Sequence, residues 1–184
     1  STLETMTDED LVRCNLDGNA LEDEKKKPSM EVSFHAWILK SFPEIKCVCH
    51  THPTNTNKIL CSEDIINFAN KRLFPDQVVR NGIKSCVVPY ATPGISLREE
   101  IKKSVLEFIV DNGFFPKLIL LKNHGIITAS TSVQEAIVST LMCEKSAEIF
   151  IGAKMLSKIQ FLTQDEIDAV NTHPSEKYRR SLIQ

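Results

Sequence analysis

Polar ring side chains are scarce in this chain: its 184 residues include two tyrosines, one tryptophan and five histidines. Any chemistry that needs an imidazole or a phenol is therefore confined to a few positions. Long apolar runs are missing too, and no stretch reads as a signal peptide or a transmembrane span. Neither sign of charge dominates, since 22 Lys and Arg face 24 Asp and Glu for a net charge of −2. That balance gives no electrostatic reason to expect nucleic acid or an anionic membrane as partner. The one basic run, Lys25-Lys26-Lys27, is too short for a polyanion-binding tail and reads as a solvated loop before Pro28. Six scattered cysteines do not make a disulfide framework in a chain of this size, so reduced thiols and a cytoplasmic location are expected. An initiator methionine is also lacking, since the chain opens Ser1-Thr2, and part of the N-terminal region is expected to be absent.

What is present is ordinary for one compact domain spanning residues 1–184, with 42% hydrophobic and 25% charged residues. Strand and helix signals alternate. A helix start at Thr7 leads to a tight turn at Asp17-Gly18, and a helix over "PSMEVSFHAWILKSF" is capped by Ser29. "IKCVCHTH" reads as a strand, "SEDIINFANKRL" as a helix capped at Ser62, and "KSCVVPY" as a strand. Two longer helices follow, with capping boxes at Ser96/Glu99 and Ser132/Glu135. Between them "KLILLKNHG" is a strand apolar enough to be covered on both faces. The alternation predicts an α/β layer protein built around one sheet.

The histidines carry the chemistry. On a strand His50 and His52 project from one face, with Cα atoms about 6.6–7 Å apart. Two imidazoles at that separation can converge on one ion. Parity sends Cys47 and Cys49 to the opposite face, which argues against a Cys/His zinc knuckle. His124, at the end of the buried strand, is the best third ligand. By spacing alone a metal site and a set of hydrogen-bonded histidines both remain open. Three imidazoles would favour zinc over magnesium or calcium. Glu31, at the start of the helix preceded by "KPS", suits proton chemistry beside a metal, or merely complements the helix dipole. The same helix start offers backbone amides and the Ser29 hydroxyl to a phosphate. His35, one turn after Glu31, is a supporting or quietly buried residue, and His173 in "NTHPSE" a surface one.

Taken together, "KPSMEVSFHAWILKSFPEIKCVCHTHP", "VVPYATPG" and "LILLKNHGII" resemble the class II aldolase/adducin family, from about Asp8 to about Arg180. The resemblance implies His50, His52 and His124 as zinc ligands, another divalent transition metal being the alternative. It implies a three-layer α/β/α fold with a central mixed or antiparallel sheet flanked by helices, Glu31 as catalytic acid/base and Ser29 as a phosphate contact. It further implies cleavage of a ketose phosphate through a metal-stabilised enediolate, in a homotetramer with sites at subunit interfaces. Three departures stand out. Met30 replaces the second serine of the family's "Pro-Ser-Ser-Glu" motif, and the upstream phosphate loops have no counterpart. The family's tyrosine acid is missing between "HTHP" and "VVPY", which leaves Tyr178 as a candidate substrate-site residue and Tyr90 as a structural one. Epimerisation or dehydration of a sugar phosphate shares the same enediolate and is the alternative within the family. A non-catalytic, adducin-like interaction module is the alternative outside catalysis, and a purely structural zinc site is a third.

Overall fold

The computed structural model describes residues 5–21 and 27–175. Four strands form one mixed sheet: β1 (Cys47–Thr51), β2 (Cys86–Val88), β3 (Leu118–Leu121) and β4 (Gly125–Ser130), in the order β1-β4-β3-β2. β4 pairs antiparallel with both β1 and β3, and β2 joins β3 in parallel. Seven α-helices surround the sheet among the described residues: α1 (Val32–Ser41), α2 (Thr54–Leu60), α3 (Ile65–Asn70), α4 (Pro75–Asn81), α5 (Ile95–Asn112), α6 (Val133–Leu156) and α7 (Gln164–Thr172).

The period-two alternation of β3 explains the three layers. Ile119 and Leu121 face a core shared with Phe34 and Ile38 of α1 and Leu97, Ile101 and Val105 of α5. Leu118 and Leu120 face a second core with Ile59 and Leu60 of α2, Phe68 of α3, and Cys143, Ala147 and Phe150 of α6. An apolar strand covered on both sides is what its unbroken Leu-Ile-Leu-Leu run requires. None of the helices among the described residues is long and apolar enough to cross a membrane.

Several local expectations are corrected. α1 begins at Val32 rather than at a Ser29 cap, because the Ser29 hydroxyl instead accepts the Glu31 N–H at 3.2 Å. α3 starts after Asp64, whose N–H is taken by Ser62 at 3.3 Å. The Ser96/Glu99 box does not form: α5 starts after Gly94, and Glu99 accepts from Arg98 instead. Ser132 does accept the Glu135 N–H, but the Glu135 carboxylate turns to Lys117 and Thr131, so only half of that box is made. α2, α4, β4 and α7 were not anticipated. The reciprocal capping box of the described chain sits at Thr163/Glu166, ahead of α7.

Two tertiary caps hold the helices around the sheet. The Glu144 carboxylate, from α6, accepts the Asn55 and Thr56 N–H groups and the Thr56 hydroxyl, all at 2.9 Å. Arg72 is fully buried, and its guanidinium donates to the carbonyls of Phe68, Ala69, Lys71 and Gly82 and to the Ser85 hydroxyl. It thus closes the C-terminal ends of α3 and α4 with one cation, where helix carbonyls concentrate negative potential. Arg72→Met is expected to leave those carbonyls unpaired and cost about 3 kcal/mol or more. Urea denaturation with an unchanged m-value would show it.

Candidate metal centre

β1 delivers two histidines to one face, as its parity dictates. Val48 packs against the α1/α5 core, and two residues on, the His50 ring stands edge-on to Phe34 at 5.6 Å. His50 Nδ1 lies 2.9 Å from the Ile126 carbonyl on β4 and donates its proton there. That bond fixes the tautomer and leaves a lone pair on Nε2. His52 follows just past the strand, its Nε2 2.9 Å from His50 Nε2.

His124 arrives from the turn between β3 and β4. Asn123 makes that turn possible: its φ of 56° lies in the left-handed region, which asparagine tolerates better than most residues. Its N–H is tied to the Leu60 carbonyl, and the His124 N–H to that of Leu121. The three histidines then stand with ring centroids 4.8–5.0 Å apart, and their potential ligand atoms lie within 4.8 Å of one another. Glu31 closes the group from the start of α1. One carboxylate oxygen is 3.3 Å from His50 Nε2, the other 3.2 Å from His124 Nε2.

These residues fit a metal ion. Tetrahedral bonds of about 2.0–2.1 Å separate neighbouring donor atoms by about 3.3 Å, and here His52 lies 2.9 Å from His50 while Glu31 meets His50 and His124 at 3.3 and 3.2 Å. The His50 and His52 Nε2 atoms face each other, and the buried His124 Nδ1 has no hydrogen-bond partner among the described residues. The facing pair of ring nitrogens is relieved by a cation between them. Burial pushes His50 and His124 below the ordinary histidine range; Glu31 partly opposes this, and His52 reinforces it. Neutral imidazole is the ligating form.

Gly125 makes the room. A Cβ there would lie 2.4 Å from His52 Cδ2 and 2.6 Å from the Thr51 carbonyl oxygen, closer than such atoms approach. Its place directly after His124 was visible in "NHG", but the contact that forbids a side chain depends on β1 lying across from it.

The cluster opens on a cavity of about 350 Å³ lined by Val12, Cys14, Ser29, Glu31, His35 and His50. Ser29 therefore lies where the sequence put it, at the cavity beside Glu31. The open backbone amides expected there are a different matter. The Glu31 and Val32 N–H groups are already bonded to the Ser29 hydroxyl and carbonyl. His35 is held below its ordinary range by burial, against Glu31 and a bond to the Val48 backbone. Tyr90 is exposed at the end of β2, and His173 is an exposed residue whose Nδ1 accepts the Ser175 N–H. Tyr178 lies outside the described residues.

Gly125→Ala is expected to lower metal affinity at least a hundredfold while the far-ultraviolet circular dichroism is retained; titration with zinc checks it. His52→Ala should remove stoichiometric metal altogether, as mass spectrometry would read. The unfolded chain takes protons on histidine at about pH 6.5, and the folded chain resists them at His50 and His124. Stability of the metal-free protein is therefore complete above about pH 6.5 and is lost as the pH falls through the folded values. Thermal unfolding from pH 7.5 to 5 should show a falling midpoint.

Residues 1–151 match the family model described as the Class II Aldolase and Adducin N-terminal domain. A 3-oxo-tetronate 4-phosphate decarboxylase from Pectobacterium atrosepticum is 34% identical over 91% of this chain and 72% of its own length. A 5-deoxy-D-ribulose 1-phosphate aldolase from Bacillus thuringiensis is 26% identical over 87% of the chain and 69% of its own. A solved L-fuculose 1-phosphate aldolase superposes with a TM-score of 0.76 at 20% identity, over 96% of this chain and 75% of that one, a likeness of fold.

Proposed function

The chain belongs to the class II aldolase and adducin family, and from that premise we propose that it is a metal-dependent lyase that breaks a carbon–carbon bond in a phosphorylated keto sugar or keto sugar acid. The observation that carries this reading is the Glu31 carboxylate, which reaches two of the three clustered histidines at 3.2 and 3.3 Å. A non-catalytic module needs neither the histidines nor the carboxylate, and with three histidines as the clustered ligands among the described residues the site keeps the open position of a catalytic metal.

The relatives' names point to one shared chemical species. Loss of carbon dioxide from 3-oxo-tetronate 4-phosphate leaves the enediolate of dihydroxyacetone phosphate. Cleavage of 5-deoxyribulose 1-phosphate between C3 and C4 leaves the same enediolate, with acetaldehyde as the other fragment. We take decarboxylation as the first reading, because it asks less of the site. The carboxylate carbon leaves as carbon dioxide, the bonding electrons stay on the enediolate, and one acid returns a proton to carbon. Aldol cleavage also needs a base for the departing hydroxyl, and the family's tyrosine is missing here. It stands as the second reading, supported by the likeness to the Bacillus thuringiensis aldolase.

Zinc, or another divalent transition ion, held by His50, His52 and His124, would supply Lewis acidity to the developing oxyanion. Glu31 would carry the proton, placed in the wall of the cavity by its position as N-cap of α1. The Ser29 hydroxyl accepts from Glu31 and keeps its own hydrogen for a phosphate oxygen. We extend the reading to a homo-oligomer, tetrameric in keeping with the family resemblance, working in the cytoplasm with all six thiols free.

The test uses the shared species. Zinc-loaded protein in deuterium oxide should exchange one carbon-bound proton of dihydroxyacetone phosphate, followed by proton resonance. Glu31→Gln should keep its metal and lose exchange at least a hundredfold. Retained exchange in that variant would remove Glu31 from the mechanism, and none in the wild type would remove the lyase. Release of carbon dioxide or of an aldehyde from the two candidate substrates then separates decarboxylation from aldol cleavage.

A further inference from the structure

The three histidines are not held alike. His50 is fixed through its second ring nitrogen, by the bond to the Ile126 carbonyl. His124 is fixed by the turn that carries it, through the Asn123 and His124 amides. For His52, no described residue bonds its second ring nitrogen; its described ring bond is to His50 Nε2. Metal-bound histidines usually gain their orientation from a partner on that second nitrogen. His52 must take its orientation from the backbone on either side.

Before it, Thr51 is fixed by its pairing with Ile126. After it, Pro53 is the N-cap of α2 and has no side chain to offer the helix's first amides. Those amides go to Glu144, which reaches across from α6 and takes Asn55 N–H, Thr56 N–H and the Thr56 hydroxyl, each at 2.9 Å. The contact joins residues nearly ninety positions apart in sequence, so nothing local to "HTHP" replaces it. Thr56 is itself fully buried and also meets the Cys143 sulfur at 3.7 Å, which seats the start of α2 on α6.

We infer that Glu144 is a positioning residue for the metal centre: by clamping the first turn of α2 it fixes the exit of the chain from β1 and so the aim of His52. The inference rests on the metal-dependent reading above. It assigns Glu144 no contact with metal or substrate.

The test is zinc affinity of the metal-free protein by competition with a chromophoric chelator, together with thermal midpoints. Glu144→Gln keeps the shape but replaces one accepting oxygen with an amide that cannot accept. It is expected to weaken zinc binding about tenfold or more, as loss of an orienting partner does elsewhere. Glu144→Asp, too short to reach both amides, should behave likewise and serves if the glutamine variant does not fold. Ile167→Ala in α7, a buried residue of the helix that packs on α4, is the control: its midpoint should fall, with zinc affinity kept within twofold. If Glu144→Gln or Glu144→Asp lowers the midpoint but leaves zinc affinity within twofold, Glu144 is only a helix cap and the inference is overturned. If the wild type binds no zinc, the metal-dependent reading falls with it, an outcome separate from the first.

Discussion

The pairing of β1 with β4 is the constraint on which the site depends. It sets Thr51 opposite Ile126, which brings the Ile126 carbonyl within reach of the His50 ring and lays His52 across Gly125. The same strand β4 emerges from the turn that carries His124. One antiparallel register thus brings together residues more than seventy positions apart. A slip by one residue would turn His50 to the α6 face of the sheet and dissolve the cluster.

That dependence explains what could be read from the sequence. Period-two parity on "CVCHTH" was enough to put His50 and His52 on one face, and the apolar "LILL" run was enough to predict a strand covered on both sides. Glu31 and His124 stood near an element start and an element end, next to the "KPS" and "NHG" signals that interrupt the apolar pattern. The layered fold followed from the alternation of those signals. What stayed hidden is of another kind. β4 was missed because "GIITAS" follows so closely on the strand before it that the two read as one run, and α2 because its cap lies in another helix. The roles of Gly125 and Glu144 depend on contacts across the sheet and across about ninety residues. No local pattern records such contacts.

The capping expectations failed for a related reason. Ser29, Ser62 and Ser96 all stand near helix starts, as serine does in general. In the folded chain Ser29 and Ser62 each bond an amide two residues on, and Ser96 lies inside its helix. At Ser29 the shift by two residues matters chemically: the helix begins with Glu31 at its N-cap, and the carboxylate is delivered to the histidines rather than spent on the helix amides.

The buried guanidinium of Arg72 divides the molecule's response to acid. Burial lowers its pKa to about 10, so it keeps its charge throughout the neutral and acid range, and its named acceptors are carbonyls and a hydroxyl, which take up no protons there. The corner it ties together is therefore indifferent to acidification, whereas the histidine cluster is not. A mildly acidic medium would disarm the centre before it loosened that joint, and restoring neutral pH would find the scaffold still in place to reassemble it.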